Sequence, residues 1–249
     1  MIAIERHGQS TVLRMNRPEA RNAMNTAMLE ALLDALGEAA ADADVAAVVF
    51  TGAGGYFSAG ADLREELDHN GSVRRMDLFC AVYEAVATLP KPTVAAIEGH
   101  CVGGGIEVAA ACDIRVADPT ASFRFPGATL GIPVGAAKLV DLIGLGAAKD
   151  LVLTSRTFAT DEAWRLGFVQ RIADPGAALV TALEVVAEIT ANNPQAVAFL
   201  RRQFLAFTGL ADRVAAENDV LHALAESGGD YTAVTMAKPA GSRTTDRRP

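Results

Sequence analysis

Two glycine-rich stretches of the sequence could bind a negatively charged group. TGAGGYFSAGADL (residues 51–63) and EGHCVGGG (98–105) each follow a short apolar run. Glycine lets the backbone bring its N–H groups close to a ligand, and the helix expected after Gly105 adds the positive end of its dipole. Either stretch alone would be weak evidence, because glycine clusters more often serve turns. Together they predict a site for an anion or an oxyanion.

A dinucleotide site is the alternative interpretation of the first stretch. Residues 49–54, VFTGAG, begin like the glycine fingerprint of a Rossmann fold. The position of the third glycine is Phe57, however, and no long helix is expected to begin there. The pattern therefore argues against NAD binding.

Glu107 is the candidate acid or base of this site. It falls in the first turn after the triple glycine, between Ile106 and Val108, where a carboxylate would point towards whatever the loop binds. The helix dipole would lower its pKa and favour a base, whereas burial would raise its pKa and favour an acid. The residues leave both roles open. A structural role in complementing the dipole, worth about 0.3–1 kcal/mol, is the alternative.

Alternating strands and helices are predicted to position these stretches. A hairpin is expected from residues 2–4 and 11–15, and Asn25 is expected to cap a helix that ends at Gly37. Further strands are predicted over 45–51, 93–97 and 114–117, with helices over 71–89 and from 106. Such alternation predicts an α/β fold with parallel strands, whose carboxyl ends share one edge of the sheet. The two glycine stretches should therefore meet.

The chain is predicted to become almost wholly helical from about Ala147. Candidate helices cover 147–153, 161–166, 176–191, 194–208 and 210–225. Their broad apolar faces must cover either the chain's own core or a neighbouring subunit, and oligomerisation is favoured. The polar residues 238–249 are expected to form a peripheral tail.

Composition excludes several classes of function. The net charge of −8 argues against binding to nucleic acid or to an anionic membrane. The three cysteines lack metal-ligand spacing and are too few for a disulfide framework, so buried thiols in a reducing compartment are expected. No signal pattern and no membrane-length apolar run is found. We expect a soluble cytoplasmic protein without a metal site.

Three ordered blocks resemble the enoyl-CoA hydratase/isomerase (crotonase) family. FSAGADL (57–63) and KPTVAAIEGHCVGGGIEVAAACDIRVA (91–117) resemble its signature, and NRPEARNAMN (16–25) resembles a further landmark. The resemblance covers roughly residues 2–170. It implies a spiral core of ββα units over residues 1–190 and, over 191–249, a helical segment that trimerises. A homotrimer or a dimer of trimers is therefore expected.

The same resemblance implies a site for a coenzyme A thioester. The carbonyl oxygen would lie between the backbone N–H groups of Ala61 and Gly104, and the adenine near Arg21, Ala23 and residues 59–62, which include Ala59 and Asp62. Asp62 is expected to fix the Ala61 turn. Coenzyme A is part of the substrate, so no separate cofactor is expected. The implied protein is a lyase or isomerase of fatty acid metabolism that stabilises an enolate with Glu107 as acid/base.

Gly127 departs from the family pattern. It stands where the hydratases, and often the isomerases, of the family carry a second acidic residue, and the following loop, GIPVGAAKL, is shorter than usual. Losing a general acid or base typically costs about 10²–10⁴ in rate, so efficient hydration is in doubt. Isomerisation or decarboxylation by a single acid, and binding without catalysis, remain open.

Other polar residues near these blocks have a functional and a structural interpretation. His100 could donate a proton or line the acyl pocket, although a packed loop histidine is the commoner case. The remaining candidate acids, which read more simply as residues at the ends of strands or helices, are Glu98, Asp113 and Asp118.

Overall fold

A computed structural model describes residues 1–231 of the 249-residue chain. Six strands form the main sheet in the order β1-β2-β3-β4-β6-β9, and three form a small second sheet in the order β5-β7-β8. The strands are β1 (Ile2–His7), β2 (Ser10–Met15), β3 (Ala47–Gly52), β4 (Thr93–Ile97), β5 (His100–Val102), β6 (Ile114–Ala117), β7 (Ser122–Arg124), β8 (Phe158–Ala159) and β9 (Arg171–Ile172).

Strand pairing confirms the expected topology. β1 and β2 form an antiparallel hairpin, and every pairing from β2 through β3, β4 and β6 to β9 is parallel. The small sheet pairs β5 with β7 in parallel and β7 with β8 antiparallel. The carboxyl ends of β3 and β4 therefore lie at one edge of the main sheet, and a glycine-rich stretch follows each.

Nine α-helices surround the sheets within the described part of the chain. They are α1 (Thr26–Ala41), α2 (His69–Thr88), α3 (Gly104–Ala111), α4 (Gly127–Leu130), α5 (Ala136–Thr154), α6 (Thr160–Arg165), α7 (Ala178–Thr190), α8 (Pro194–Thr208) and α9 (Leu210–Glu226). None of the helices within residues 1–231 has the length and apolar character that a membrane span requires.

Both faces of the main sheet are covered. On one face, Leu13 and Phe50 belong to the large core that α1, α2 and α3 complete; on the other face, Val49 and Val94 pack with α7. Residues buried on both faces explain why the central strands read as continuous apolar runs. Within the described residues, all three cysteines are free and buried, as predicted.

Several predicted boundaries were wrong. Asn25 caps α1 as expected, with Oδ1 accepting from the Met28 N–H at 3.0 Å, but the helix continues past Gly37 to Ala41. A glycine inside a helix costs about 1 kcal/mol, and apolar contacts on either side of Gly37 offset that cost. The helix expected to begin at residue 106 begins earlier, at Gly104 within the triple glycine, and ends at Ala111.

Other elements were not predicted at all. The short strands β5, β7, β8 and β9 carry too few residues for a visible alternation. Helix α4 and the first half of α5 lie in a stretch rich in glycine, and α5 is kinked at Gly144, where φ is +78°. The predicted tail at 238–249 lies outside the described residues.

The apolar faces of the C-terminal helices were expected to cover either the chain's own core or a neighbouring subunit, and the helices differ in this respect. Helix α9 packs on α2 and α5 of its own chain, whereas α8 has no buried residue. Four large apolar side chains of α8 are exposed: Phe199, Leu200, Phe204 and Phe207. Within residues 1–231, α8 therefore leaves its apolar face uncovered. Oligomerisation through that face stays a prediction.

Candidate active site

The two glycine-rich stretches are hydrogen-bonded into one unit. Ser58 N–H donates to the His100 carbonyl at 2.8 Å, and Val102 N–H donates to the Ser58 carbonyl at 3.0 Å. On its other side, the first stretch binds Met24, whose N–H donates to the Gly60 carbonyl at 2.7 Å and whose carbonyl accepts from the Asp62 N–H. The peptide between Gly60 and Asp62 is thus fixed from both sides.

Two amides remain unused at this junction. Neither the Ala61 N–H nor the Gly104 N–H donates a hydrogen bond to any atom of residues 1–231. Gly104 is the first residue of α3, so its N–H has no acceptor within the helix and carries part of the positive end of the dipole. The predicted oxyanion donors are therefore available as a pair.

Glycine is required where the two stretches touch. Gly60 has φ of +89°, and a Cβ there would lie 2.8 Å from the Val102 carbonyl oxygen and 3.0 Å from the Gly104 nitrogen. A Cβ on Gly105 would lie 2.7 Å from that of Ser58. Only residues without side chains allow this approach, and the contact brings the Ala61 and Gly104 peptides to neighbouring positions.

A cavity of about 480 Å³ opens beside these amides, with both Ala61 and Gly104 in its wall. Helix α2 contributes Phe79 and Tyr83, and α9 contributes Leu221. Polar side chains from the first turns of α2 also line it: His69, Ser72 and Arg75. The cavity is thus mainly apolar and has free hydrogen-bond donors on one side, as small-molecule sites commonly do.

Glu107 lies in a buried ion pair next to this cavity. Its side chain is 1% exposed, and Oε2 lies 3.0 Å from Lys138 Nζ. Burial and the neighbouring Glu217 raise the pKa of Glu107 to about 7, against the opposing effect of Lys138. Glu107 itself is not among the residues that line the cavity, but Tyr83 is, and Lys138 Nζ lies 4.9 Å from the Tyr83 ring centre.

Lys138 and Glu217 were missed from the sequence. Lys138 Nζ donates to Glu217 Oε1 at 2.6 Å, and Glu217 Oε2 accepts from the N–H groups of Gly135 and Ala137, each at 3.0 Å. Burial opposes the charge of Lys138, but the two carboxylates outweigh it and raise its pKa above the ordinary value. The partners belong to α5 and α9, and no local pattern links helices so far apart in sequence.

The residues expected around the adenine surround the Ala61 turn. Arg21 has a left-handed backbone, its carbonyl accepts from the Ala59 N–H at 3.0 Å, and its guanidinium lies 5.8 Å from the Tyr56 ring centre. The Ala23 carbonyl accepts from Arg17 at 2.8 Å. The structure thus links Arg21 to Ala59 by a hydrogen bond, and Ala23 to Asp62 through Arg17.

Asp62 has the contacts expected of a residue that fixes the turn. It accepts from the Arg64 N–H at 3.1 Å and pairs with Arg17 at 2.9 Å. Burial raises the pKa of Asp62, but the Arg64 N–H and the Arg17 guanidinium outweigh burial and hold it below the ordinary value. Asp62 is therefore an ionised structural carboxylate beside the unused Ala61 amide.

His100 lies outside the cavity wall. It packs against Tyr56 at 5.6 Å between ring centres, and its Nδ1 lies 3.0 Å from Ser122 Oγ. Two further candidate acids also have structural partners. Asp113 accepts from Thr93 and pairs with Arg201, and Asp118 accepts from Thr120 and from the Gly176 N–H. Glu98 contacts the first glycine-rich stretch through its backbone, because its carbonyl accepts from the Phe57 N–H at 2.8 Å.

The family model described as enoyl-CoA hydratase/isomerase matches residues 6–228. The chain belongs to the enoyl-CoA hydratase/isomerase family. A short-chain-enoyl-CoA hydratase of Clostridium acetobutylicum is 38% identical over 202 residues, which cover 79% of this chain and 77% of the relative. A 2,3-dehydroadipyl-CoA hydratase of Escherichia coli is 32% identical over 199 residues, with coverage of 79% and 78%.

Solved structures of the enoyl-CoA hydratase/isomerase family share the fold. An enoyl-CoA hydratase from Bacillus anthracis has a TM-score of 0.78 at 30% identity, covering 87% of this chain and 90% of that chain. An enoyl-CoA hydratase/isomerase from Xanthobacter autotrophicus Py2 has a TM-score of 0.82 at 29% identity, with coverage of 91% and 87%. These likenesses confirm the crotonase-like α/β fold predicted from the sequence.

Gly127 stands at the position where the family resemblance implies a second acidic residue, and this enoyl-CoA hydratase/isomerase family member has no side chain there. It lines the cavity as the first residue of α4. A Cβ there would lie 2.4 Å from the Ile132 carbonyl oxygen and 3.3 Å from Val134 Cγ1. The loop that follows α4 therefore occupies the space that a larger residue would need.

Proposed function

We propose that the protein binds an acyl-CoA thioester in the 480 Å³ cavity and stabilises the enolate formed from it. The observation that carries the proposal is the pair of unused amides, Ala61 N–H and Gly104 N–H, in one wall of that cavity. Amides fixed in advance stabilise developing negative charge without reorganisation, and removing one such donor typically costs about 2.7–4 kcal/mol.

Glu107 is the proposed acid/base. As a carboxylate it takes a proton from the α-carbon, and the electron pair of the broken C–H bond becomes the enolate, with its charge on the thioester oxygen between the two amides. The resulting carboxylic acid returns the proton to carbon. A pKa of about 7 supports this assignment, because an acid/base works best when its pKa lies near the operating pH.

The absence of a side chain at Gly127 favours reactions that need one carboxylate. Double-bond isomerisation by a shuttling proton, and cleavage that leaves an enolate, both meet that condition. Hydration needs a second group to activate water at the β-carbon. The names of the relatives from Clostridium acetobutylicum and Escherichia coli favour hydration, so it is retained as the first alternative.

Binding without turnover is the second alternative, and one observation favours it. Glu107 is paired with Lys138 and lies behind the cavity wall, so a ligand could occupy the cavity without meeting a free carboxylate. In either case, we place the adenine of the coenzyme near Arg21, Ala23, Ala59 and Asp62, and assign the exposed apolar face of α8 to a homotrimer or a dimer of trimers.

Hydrogen exchange tests the proposal directly. Butyryl-CoA is incubated with the protein in D₂O, and deuterium at the α-carbon is measured by mass spectrometry; Glu107→Gln should abolish exchange while leaving thioester affinity nearly unchanged. In parallel, crotonyl-CoA and a 3-enoyl-CoA are followed by enoyl absorbance. Loss of the first signal identifies a hydratase, and gain of the second an isomerase.

Calorimetry with butyryl-CoA separates the remaining outcomes. Tight binding without exchange or absorbance change supports the non-catalytic alternative. If no thioester binds at all, the proposed function is wrong.

A further inference from the structure

Three ionisable side chains form a buried cluster that the proposed chemistry uses only in part. Glu107 of α3, Lys138 of α5 and Glu217 of α9 have side chains that are 1%, 0% and 7% exposed. Lys138 Nζ lies 3.0 Å from Glu107 Oε2 and 2.6 Å from Glu217 Oε1. One ammonium therefore joins two carboxylates that come from separate helices.

Backbone N–H groups and an aromatic ring also contact the cluster. Glu217 accepts from the N–H groups of Gly135 and Ala137, which begin α5. Lys138 lies over the Tyr83 ring, a favourable position for a cation. Gly135 leaves room for Glu107, because a Cβ there would lie 2.9 Å from Glu107 Oε1. The Glu107 carboxylate therefore lies between Gly135 and its ion-pair partner Lys138.

The other titratable groups facing Glu107 stay neutral near pH 7. These are Tyr83 of α2 and Cys101 of β5, and burial raises the pKa of each well above its ordinary value. Among residues 1–231, the charges that act on Glu107 are therefore those of Lys138 and Glu217.

Charge balance gives this cluster an acid–base property. Two carboxylates and one ammonium carry a net charge of −1, which is unfavourable away from water. Uptake of one proton makes the cluster neutral. The proton of Glu107 is therefore held close to a second negative charge, which α9 supplies.

We propose that Lys138 and Glu217 are positioning residues for Glu107. Lys138 fixes the Glu107 carboxylate, and the negative charge of Glu217 favours the protonated form of Glu107. The inference rests on the proposed function, because Glu107 is assigned there as the acid/base. Glu217 acts through Lys138 and does not touch the substrate. In this protein the second carboxylate of the site comes from α9 and not from the position of Gly127.

The test is the pH dependence of α-hydrogen exchange, since exchange requires ionised Glu107. Glu217→Gln keeps the hydrogen-bonding shape and removes one negative charge, so the midpoint of the profile should fall by about one pH unit or more. Lys138→Met removes the positive charge, so the midpoint should rise by about one to three units. A purely structural role would change the rate or the stability but leave the midpoint where it is.

The matched control is Asp219→Asn, which removes one negative charge from the exposed face of the same helix. Its profile should superpose on that of the unaltered protein. If Lys138→Met does not fold, Glu217→Gln and Lys138→Arg still decide the matter. Lys138→Arg keeps the charge, so it should leave the midpoint within about half a unit, well below the shift from charge removal.

Carboxyl NMR makes the two proposals independently falsifiable. With ¹³C-labelled glutamate, the signal absent from Glu107→Gln identifies Glu107, and its titration can be followed without any turnover. Titration shifts without exchange would refute the proposed function and leave the cluster's role intact. Unchanged midpoints in folded Glu217→Gln, by NMR and by exchange alike, would overturn the role assigned to Lys138 and Glu217.

Discussion

Replacing Gly60 by alanine should separate the two peptides on which the proposed function depends. The new Cβ would lie 2.8 Å from the Val102 carbonyl oxygen, 3.0 Å from the Gly104 nitrogen and 3.2 Å from Gly103 Cα. All three are backbone atoms, which no side-chain rotation can move aside. Since favourable contacts of carbon begin near 3.5 Å, the stretches must part by roughly half an ångström or more.

The substitution should lower both the stability of the protein and the rate of exchange, and these two effects are measured separately. The backbone of Gly60 has φ of +89°, so alanine is strained there by about 1–2 kcal/mol, and overpacking adds about 1–3 kcal/mol to the loss of stability. The rate suffers separately because displacement takes one amide away from the oxyanion. Losing one such donor should slow α-hydrogen exchange about 10²–10³-fold.

Gly8→Ala is the matched control for strain. Gly8 has φ of +59° in the β1–β2 turn, and a Cβ there meets nothing within 4 Å. It should lower the melting temperature without changing exchange. Both variants are assayed with butyryl-CoA in D₂O below their melting transitions. If Gly60→Ala is folded and exchanges within about tenfold of the unaltered protein, the amide pair does not carry the stabilisation ascribed to it.

Three further predictions follow from buried groups. Gly127→Glu should not create hydration of crotonyl-CoA, because its Cβ would meet the Ile132 carbonyl oxygen at 2.4 Å; it should instead lower stability by about 1–3 kcal/mol in urea unfolding, and an active hydratase would contradict this. Since the pKa of Glu107 rises from 4.5 to about 7 on folding, the protonated form of Glu107 favours the folded protein. This stabilisation is complete below pH 4.5 and is lost as the pH rises through 7. This loss, up to about 3 kcal/mol, should vanish in Glu107→Gln when unfolding is measured at both pH values. A thiol reagent should find no reactive cysteine in the folded protein and three after denaturation, because burial raises the pKa of each thiol, to about 12 for two of them; the residues concerned are Cys80, Cys101 and Cys112.

The sequence predicts those parts of the fold whose signals are local. The buried runs at β3, β4 and β6, the Asn25 cap of α1 and the hairpin of β1 and β2 all follow from neighbouring residues. The strands β8 and β9 have two residues each, and they pair only because distant segments present matching edges. Their existence depends on tertiary contacts, which residue patterns do not display.

The same distinction applies to the candidate site. Gly60 and Gly104 are visible in the sequence because close backbone approach demands glycine, and the structure places them in contact. Lys138 is invisible: a lysine in an alanine-rich helix reads as a solvent-exposed residue, yet its side chain is fully buried. Only the meeting of α3, α5 and α9 gives that lysine two carboxylate partners.

A side chain at residue 127 and the present path of the loop after it exclude each other. This steric conflict bears on which type of reaction the site can perform. Enolate stabilisation in the proposed function comes from backbone amides, which most substitutions leave in place. A carboxylate contributes about 10²–10⁴ in rate, comparable to one amide, but a single substitution removes it. Here the Ile132 carbonyl oxygen lies where a side chain on residue 127 would begin, so restoring an acid requires moving the loop as well. Glu217 reaches the cluster from α9 but accepts from Gly135 and Ala137 of the same stretch, so moving the loop would also disturb the second carboxylate near Glu107.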